Sequence, residues 1–146
     1  MELVWHDRAF SELTLAELYA IMSLRERVFV VEQQCTYLDA DGLDPMSRHL
    51  WATRGPDICA YCRIVPAGVK YAEPSIGRVL TAPDARRGGL GKQLMERAIA
   101  AAGGAIRISA QTYLEKFYTE LGFARVSEPY DDAGILHVDM VRPAGS

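Results

Sequence analysis

Three glycines set among three cations, Arg86-Arg87-Gly88-Gly89-Leu90-Gly91-Lys92, are the residues of this chain best suited to hold a ligand. They follow a strand-like run at 75–81 that breaks at Pro83, and they precede a stretch of helical apolar spacing. A helix start leaves its first backbone N–H groups without internal partners, and the aligned peptide dipoles add partial positive charge there. An anion, above all a phosphate, fits that end. Gly88, Gly89 and Gly91 let the main chain approach such a ligand closely, although glycine within a helix costs roughly 1 kcal/mol against alanine.

Two common phosphate motifs do not describe this turn. A P-loop ending at Gly91-Lys92 needs glycine at 86 and a hydroxyl at 93, but the chain has Arg86 and Gln93. A nucleotide hydrolase is therefore not expected. The dinucleotide pattern Gly-x-Gly-x-x-Gly begins at Gly89 and Gly91 but meets Leu94 in place of its third glycine. Asp39-x-Asp41-Gly42 resembles the start of a calcium loop, yet glycine is missing at Asp44 and glutamate at Leu50. Cys59-x-x-Cys62 stands alone within an apparent strand, where that spacing points the side chains to opposite faces, so neither metal binding nor a disulfide is expected.

Sixteen Lys and Arg against nineteen Asp and Glu give 146 residues a net charge of −3, which argues against a broad nucleic-acid-binding surface. Length favours one domain over 1–146. The start Met-Glu-Leu-Val-Trp-His-Asp lacks the charge and apolar run of a leader, and no stretch approaches the roughly 20 apolar residues of a membrane span. A cytoplasmic protein without membrane partners is expected.

The elements that must position the glycine turn can be read from periodicity. Residues 2–6 alternate like a strand, and Thr14-Leu15-Ala16-Glu17 is a capping box opening a helix whose Leu15, Leu18, Tyr19, Met22 and Phe29 point to a core. Residues 32–47 read as a loop with a short helix, and 49–54 with 58–66 as an antiparallel hairpin across Gly55-Pro56-Asp57. The strand at 75–81 continues this meander. Leu90, Leu94, Met95, Ala98, Ile99 and Ala102 form the apolar stripe of the next helix, which Gly103-Gly104 ends. A strand at 105–110 follows, then a second apparent capping box, Thr112-Tyr113-Leu114-Glu115, a short helix terminated by Gly122, and two strands at 123–127 and 136–142. The order implies an α+β domain.

Two motifs in sequence carry a resemblance. Arg86-x-x-Gly89-x-Gly91 resembles the coenzyme A pyrophosphate loop of the GNAT acetyltransferase superfamily, and Phe117-Tyr118-x-x-Leu121-Gly122-Phe123 is similar to its Tyr-x-x-x-Gly-Phe ending. Leu24-Arg25, Val28-Phe29-Val30-Val31-Glu32-Gln33, Tyr37-x-Asp39-x-Asp41-Gly42, Arg48-His49 and His137-Val138-Asp139-Met140 look like its ElaA branch. The resemblance implies the GNAT acyl-CoA N-acyltransferase fold, an antiparallel meander with splayed central parallel strands flanked by helices.

It also implies acetyl-CoA in a V-shaped opening between 75–81 and 105–110, without metal. The backbone of Val79, Leu80 and Thr81 would orient the thioester, and amides of Arg87, Gly88, Gly89, Leu90, Gly91 and Lys92 would hold the pyrophosphate, with Arg86, Arg87 and Lys92 adding charge. An amine of a small molecule, peptide or protein would attack the thioester directly. That step needs a base, donors for the oxyanion, and an acid for the leaving sulfur. Tyr118 is the expected acid. Glu32, Asp39, Asp41, Asp44, His49 and His137 are the candidate bases, with no carboxylate on the strand at 75–81. The acidic loop suggests a cationic acceptor. A noncatalytic acyl-CoA sensor is the alternative function. Oligomeric state stays open, a homodimer included.

Overall fold

The computed structural model describes residues 2–86 and 88–145. Its strands are β1 (Leu3–Ala9), β2 (Arg48–Arg54), β3 (Asp57–Val65), β4 (Ser75–Thr81), β5 (Ile106–Gln111), β6 (Ala124–Arg125), β7 (Tyr130–Asp132) and β8 (Ile135–Arg142). Among these residues three α-helices occur: α1 (Leu15–Arg25), α2 (Leu90–Ala102) and α3 (Glu115–Glu120). A π-helical segment, Glu26–Glu32, continues α1 without a break.

The expected α+β fold with splayed central strands is what the chain adopts, and the splay divides the sheet in two. β1-β2-β3-β4 form one antiparallel sheet, and β5-β8-β6 with β7 on β8 form the other. Where the two sheets meet, a backbone bond joins β5 to the residue before β4, Arg107 N–H donating to Pro74 C=O at 3.0 Å. Beyond that clasp no ladder links the two strands among the described residues. Unpaired backbone must find partners elsewhere, so a parted pair of central strands invites a ligand.

β4 also carries a bulge. Tyr61 pairs with Leu80 and Arg63 with Gly77, so Arg78 and Val79 together oppose Cys62. Arg78 takes a left-handed backbone (φ 51°), a conformation that costs an ordinary side chain free energy and clusters at functional sites. A second bulge, on β3, inserts Cys59 between Ile58, which pairs with Thr53, and Ala60, which pairs with Ala52. It breaks the alternation expected for Cys59 and Cys62, and both free thiols are buried in one core cluster rather than on opposite faces.

Two layers of core follow. The inner faces of the sheets bury Leu50, Cys62 and Ile108 against Leu90, Leu94 and Met95 of α2, whose stripe is as its spacing predicts. The opposite face of the first sheet buries Trp51, Tyr61 and Leu80 under Ile21, Leu24 and Val28. That helix face differs from the expected one: Leu15 and Tyr19 are 87% and 79% exposed, and the buried row is Ile21, Leu24, Arg25 and Val28. An arginine within the row disguises it, because charge marks a solvent face in any apolar count.

Thr14 and Glu17 form the expected capping box, at 2.9 and 3.0 Å. The second one does not form. Thr112 lies in a 3-10 turn, and the Glu115 carboxylate turns to Arg125 at 2.7 Å instead of capping. Gly122 does terminate α3 with φ 98°, and a Cβ there would stand 3.1 Å from Arg142 Nε. β7 is an addition to the expected strands: Ala133 and Gly134, both left-handed at φ 55° and 82°, make a two-residue hairpin turn into β8.

Candidate active site

The parted strands leave a cavity of about 470 Å³. Its walls are the backbone and side chains of β4, including Val79, Leu80 and Thr81, and residues 108–111 of β5. The π-helical segment adds Val28, Phe29 and Glu32 to the lining, and the β7–β8 hairpin adds Asp132, Ala133, Ile135 and His137. π-helical turns recur at functional sites because they re-aim the residues of a helix.

Tyr118 is one of the lining residues, although only 7% exposed. α3 follows β5 after the 3-10 turn Thr112–Leu114, and Phe117 and Phe123 meet the Tyr118 ring edge-on at 5.1 and 6.0 Å. Among the described residues its hydroxyl has no hydrogen-bond partner. Burial pushes the phenol well above its ordinary pKa, so it holds its proton at neutral pH.

The glycine turn follows the cleft residues Thr81 and Arg86 in the chain, and a Cβ on Gly91 would stand 3.9 Å from the Thr81 methyl. Gly89 is the N-cap of α2 in a left-handed conformation, φ 73°, and among the described residues a Cβ on Gly88 or Gly89 would meet nothing within 4 Å. The first turn of α2 contains no acidic residue, and Lys92 sits in it. A cation there opposes the helix dipole in isolation and reinforces it toward an anion. Arg87 lies outside the described residues. Arg86 Nη2 pairs with Glu32 Oε1 at 2.7 Å and Arg86 Nε donates to Thr81 C=O at 3.3 Å, so Glu32, on the cleft wall, is held as a counterion.

Of the other candidate bases, His49 is buried at 1% and does not line the cleft. Its Nδ1 meets the Tyr61 hydroxyl at 2.7 Å and its Nε2 the Asp44 carbonyl at 3.0 Å, which uses both nitrogens. Burial, the largest influence, lowers its pKa and keeps it neutral. Asp39, Asp41 and Asp44 grip three arginines. Arg25 pairs with Asp39 and Asp44 at 2.9 and 2.6 Å, Arg63 with Asp41 and Asp44 at 2.5 and 3.1 Å, and Arg78 with Asp39 and Asp41 at 2.8 and 3.3 Å.

Three carboxylates against three guanidiniums leave this cluster without net charge, so the acidic loop does not supply the field expected for a cationic acceptor. Its role is mechanical: it fastens the loop at 39–44 to α1, β3 and the bulge of β4. The sequence pattern marks the aspartates but not Arg25 and Arg63, which stand 0% and 1% exposed. Among the described residues no group of three or more His, Cys, Asp or Glu could hold a metal ion. Nor is any helix among them long and apolar enough to cross a membrane.

His137, on β8, does line the cleft. Its Nδ1 lies 2.8 Å from the Ile135 carbonyl, an atom that can only accept, so the ring proton is on Nδ1 and the lone pair is on Nε2. Its ring stacks on Tyr130 across the hairpin at 6.1 Å.

The geometry has counterparts in known proteins. Residues 30–143 match the family model of the acetyltransferase (GNAT) domain. A UPF0039 protein of Synechocystis sp. is 41% identical over 97% of this chain and 96% of its own length. The crystal structure of an acyl-CoA N-acyltransferase from Pseudomonas aeruginosa superposes with a TM-score of 0.93 at 41% identity, covering 97% of this chain and 99% of that one. That of Escherichia coli ElaA gives 0.91 at 34% identity, with 97% and 99% covered.

Proposed function

The chain belongs to the acetyltransferase (GNAT) family, and on that premise we propose that it is an N-acetyltransferase carrying the acetyl group of acetyl-CoA to a primary amine by direct attack in a ternary complex. One observation carries the reading: a buried phenol whose hydroxyl has no hydrogen-bond partner among the described residues lines a cleft between parted strands, and the chain runs from that cleft, past Thr81 and Arg86, into a glycine-capped helix start with a cation in its first turn. The description of the Pseudomonas relative as an acyl-CoA N-acyltransferase agrees with it.

We assign the diphosphate of the donor to the backbone amides of residues 88–92, with Lys92 and Arg86 nearby. The backbone of Val79, Leu80 and Thr81, which begins at the β4 bulge, is assigned to the thioester, where an N–H can stabilise the oxyanion that forms as the amine adds. Collapse of that adduct breaks the C–S bond, and Tyr118 gives the departing sulfur its proton. Glu32 holds Arg86 in place.

Thiol release from acetyl-CoA by the purified protein, measured over a panel of polyamines, aminoglycosides, amino acids and peptides, tests the proposal. Amine-dependent release with an acetylated product of the right mass is expected. Saturable acetyl-CoA binding with no release over the panel would favour the sensor alternative.

A further inference from the structure

We propose that His137 is the general base of the transfer, taking the proton that the amine nitrogen sheds as it attacks. The inference rests on the acetyl-transfer reading above and adds a residue to it. Three observations converge. His137 lines the cleft. Its tautomer is fixed by the Ile135 carbonyl at 2.8 Å, which leaves Nε2 as an acceptor, and among the described residues Nε2 has no partner. A base needs a free lone pair in reach of the reacting atoms, and His49, with both nitrogens engaged, offers none.

The third observation is the platform under the ring. Tyr130, stacked on His137, donates to Asp139 Oδ1 at 2.5 Å and accepts from the Ser109 hydroxyl, since a carboxylate can only accept. Arg107 fixes the other oxygen of Asp139 at 2.8 Å. With its proton committed to Asp139, and its pKa pushed up to about 12 chiefly by burial, Tyr130 orients the imidazole without competing for protons. The other ionisable groups on the cleft wall are Asp132, paired with Ile135 across the hairpin, Lys70, Arg78, the Glu32–Arg86 pair, Cys35, and the phenols of Tyr37, Tyr113 and Tyr118.

The protons balance. The neutral amine attacks the carbonyl carbon and the C–N bond forms; Nε2 takes the proton lost from nitrogen; the C–S bond breaks and Tyr118 protonates the thiolate. The imidazolium then returns a proton to the tyrosinate through solvent.

His137→Gln and His137→Asn, assayed beside wild type with acetyl-CoA and the best amine of the panel, test this assignment. A fall in kcat on the order of 10²-fold is expected, with loss of the acidic limb of the pH profile and unchanged affinity for CoA by calorimetry. Wild-type kcat and an unaltered profile in a folded variant would overturn it. So would an imidazole carrying its proton on Nε2 in nitrogen-resolved NMR of the wild type, a result that needs no acceptor. A wild type that binds acetyl-CoA yet transfers to no amine would remove the enzymatic reading and this one together, whereas an active wild type with an active variant removes His137 alone.

Discussion

The Glu32 carboxylate and the Arg86 guanidinium meet at 2.7 Å, joining the end of the π-helical segment to the turn that opens α2. Both residues line the cleft, so the pair ties one wall to the glycine turn. Each side chain is 41% exposed, and an ion pair in that setting adds little to stability. Glu32→Gln is therefore expected to shift the unfolding free energy by less than about 1 kcal/mol, to alter KM for acetyl-CoA through a released Arg86, and to keep the wild-type pH profile of kcat. A lost acidic limb in that variant would make Glu32 the base instead.

Tyr118→Phe separates chemistry from packing. Among the described residues the hydroxyl has no hydrogen-bond partner to lose, and the ring stays against Phe117 and Phe123. Stability within about 1 kcal/mol of wild type is expected by denaturant titration, with kcat lowered by about 10²-fold and KM for acetyl-CoA little changed. Undiminished turnover would free Tyr118 from the acid role.

Asp44 joins two buried arginines, Arg25 and Arg63. Asp44→Asn leaves both with less countercharge inside the protein and is expected to destabilise by about 3 kcal/mol, read from the urea midpoint. A loss below about 1 kcal/mol would show that water reaches this cluster.

Acid should weaken the fold in two stages. His49, held neutral chiefly by burial, has a folded pKa below its ordinary value near 6.5. The unfolded chain binds the proton first, so stability that is full above about pH 6.5 declines as pH falls below it. Asp41 and Asp44 follow at lower pH. Burial alone would raise both, but hydrogen bonds and charge from Arg63 and Arg25 outweigh it and hold them below the ordinary value of about 3.9. Their contribution is complete above that value and is lost as pH falls through the folded pKa values. Denaturation midpoints across the acid range should show both stages in the wild type. The first should vanish in His49→Gln.

Much of this was legible in the sequence because it rests on local rules. The glycine turn, the α2 stripe, the meander and the Gly122 terminator each follow from spacing within one segment. The buried charges were not legible. Arg25 and Arg63 are identified as interior residues only by aspartates brought from a distant loop, and a period count assigns any arginine to solvent. The Thr112 box failed for the same reason: Glu115 had a better partner in Arg125, beyond its own turn. Ala133 in a left-handed turn hid β7, since that conformation is normally announced by Asn, Asp or Gly.

Calorimetric titration of the folded protein with acetyl-CoA, in parallel with Gly89→Val, tests most directly whether the parted strands and the α2 start form an acyl-CoA site. Saturable binding at one site per chain is predicted, weakened at least tenfold in the variant, whose side chain would have to adopt φ near 73°. Absence of any heat or thermal stabilisation from millimolar acetyl-CoA in the wild type would contradict the account.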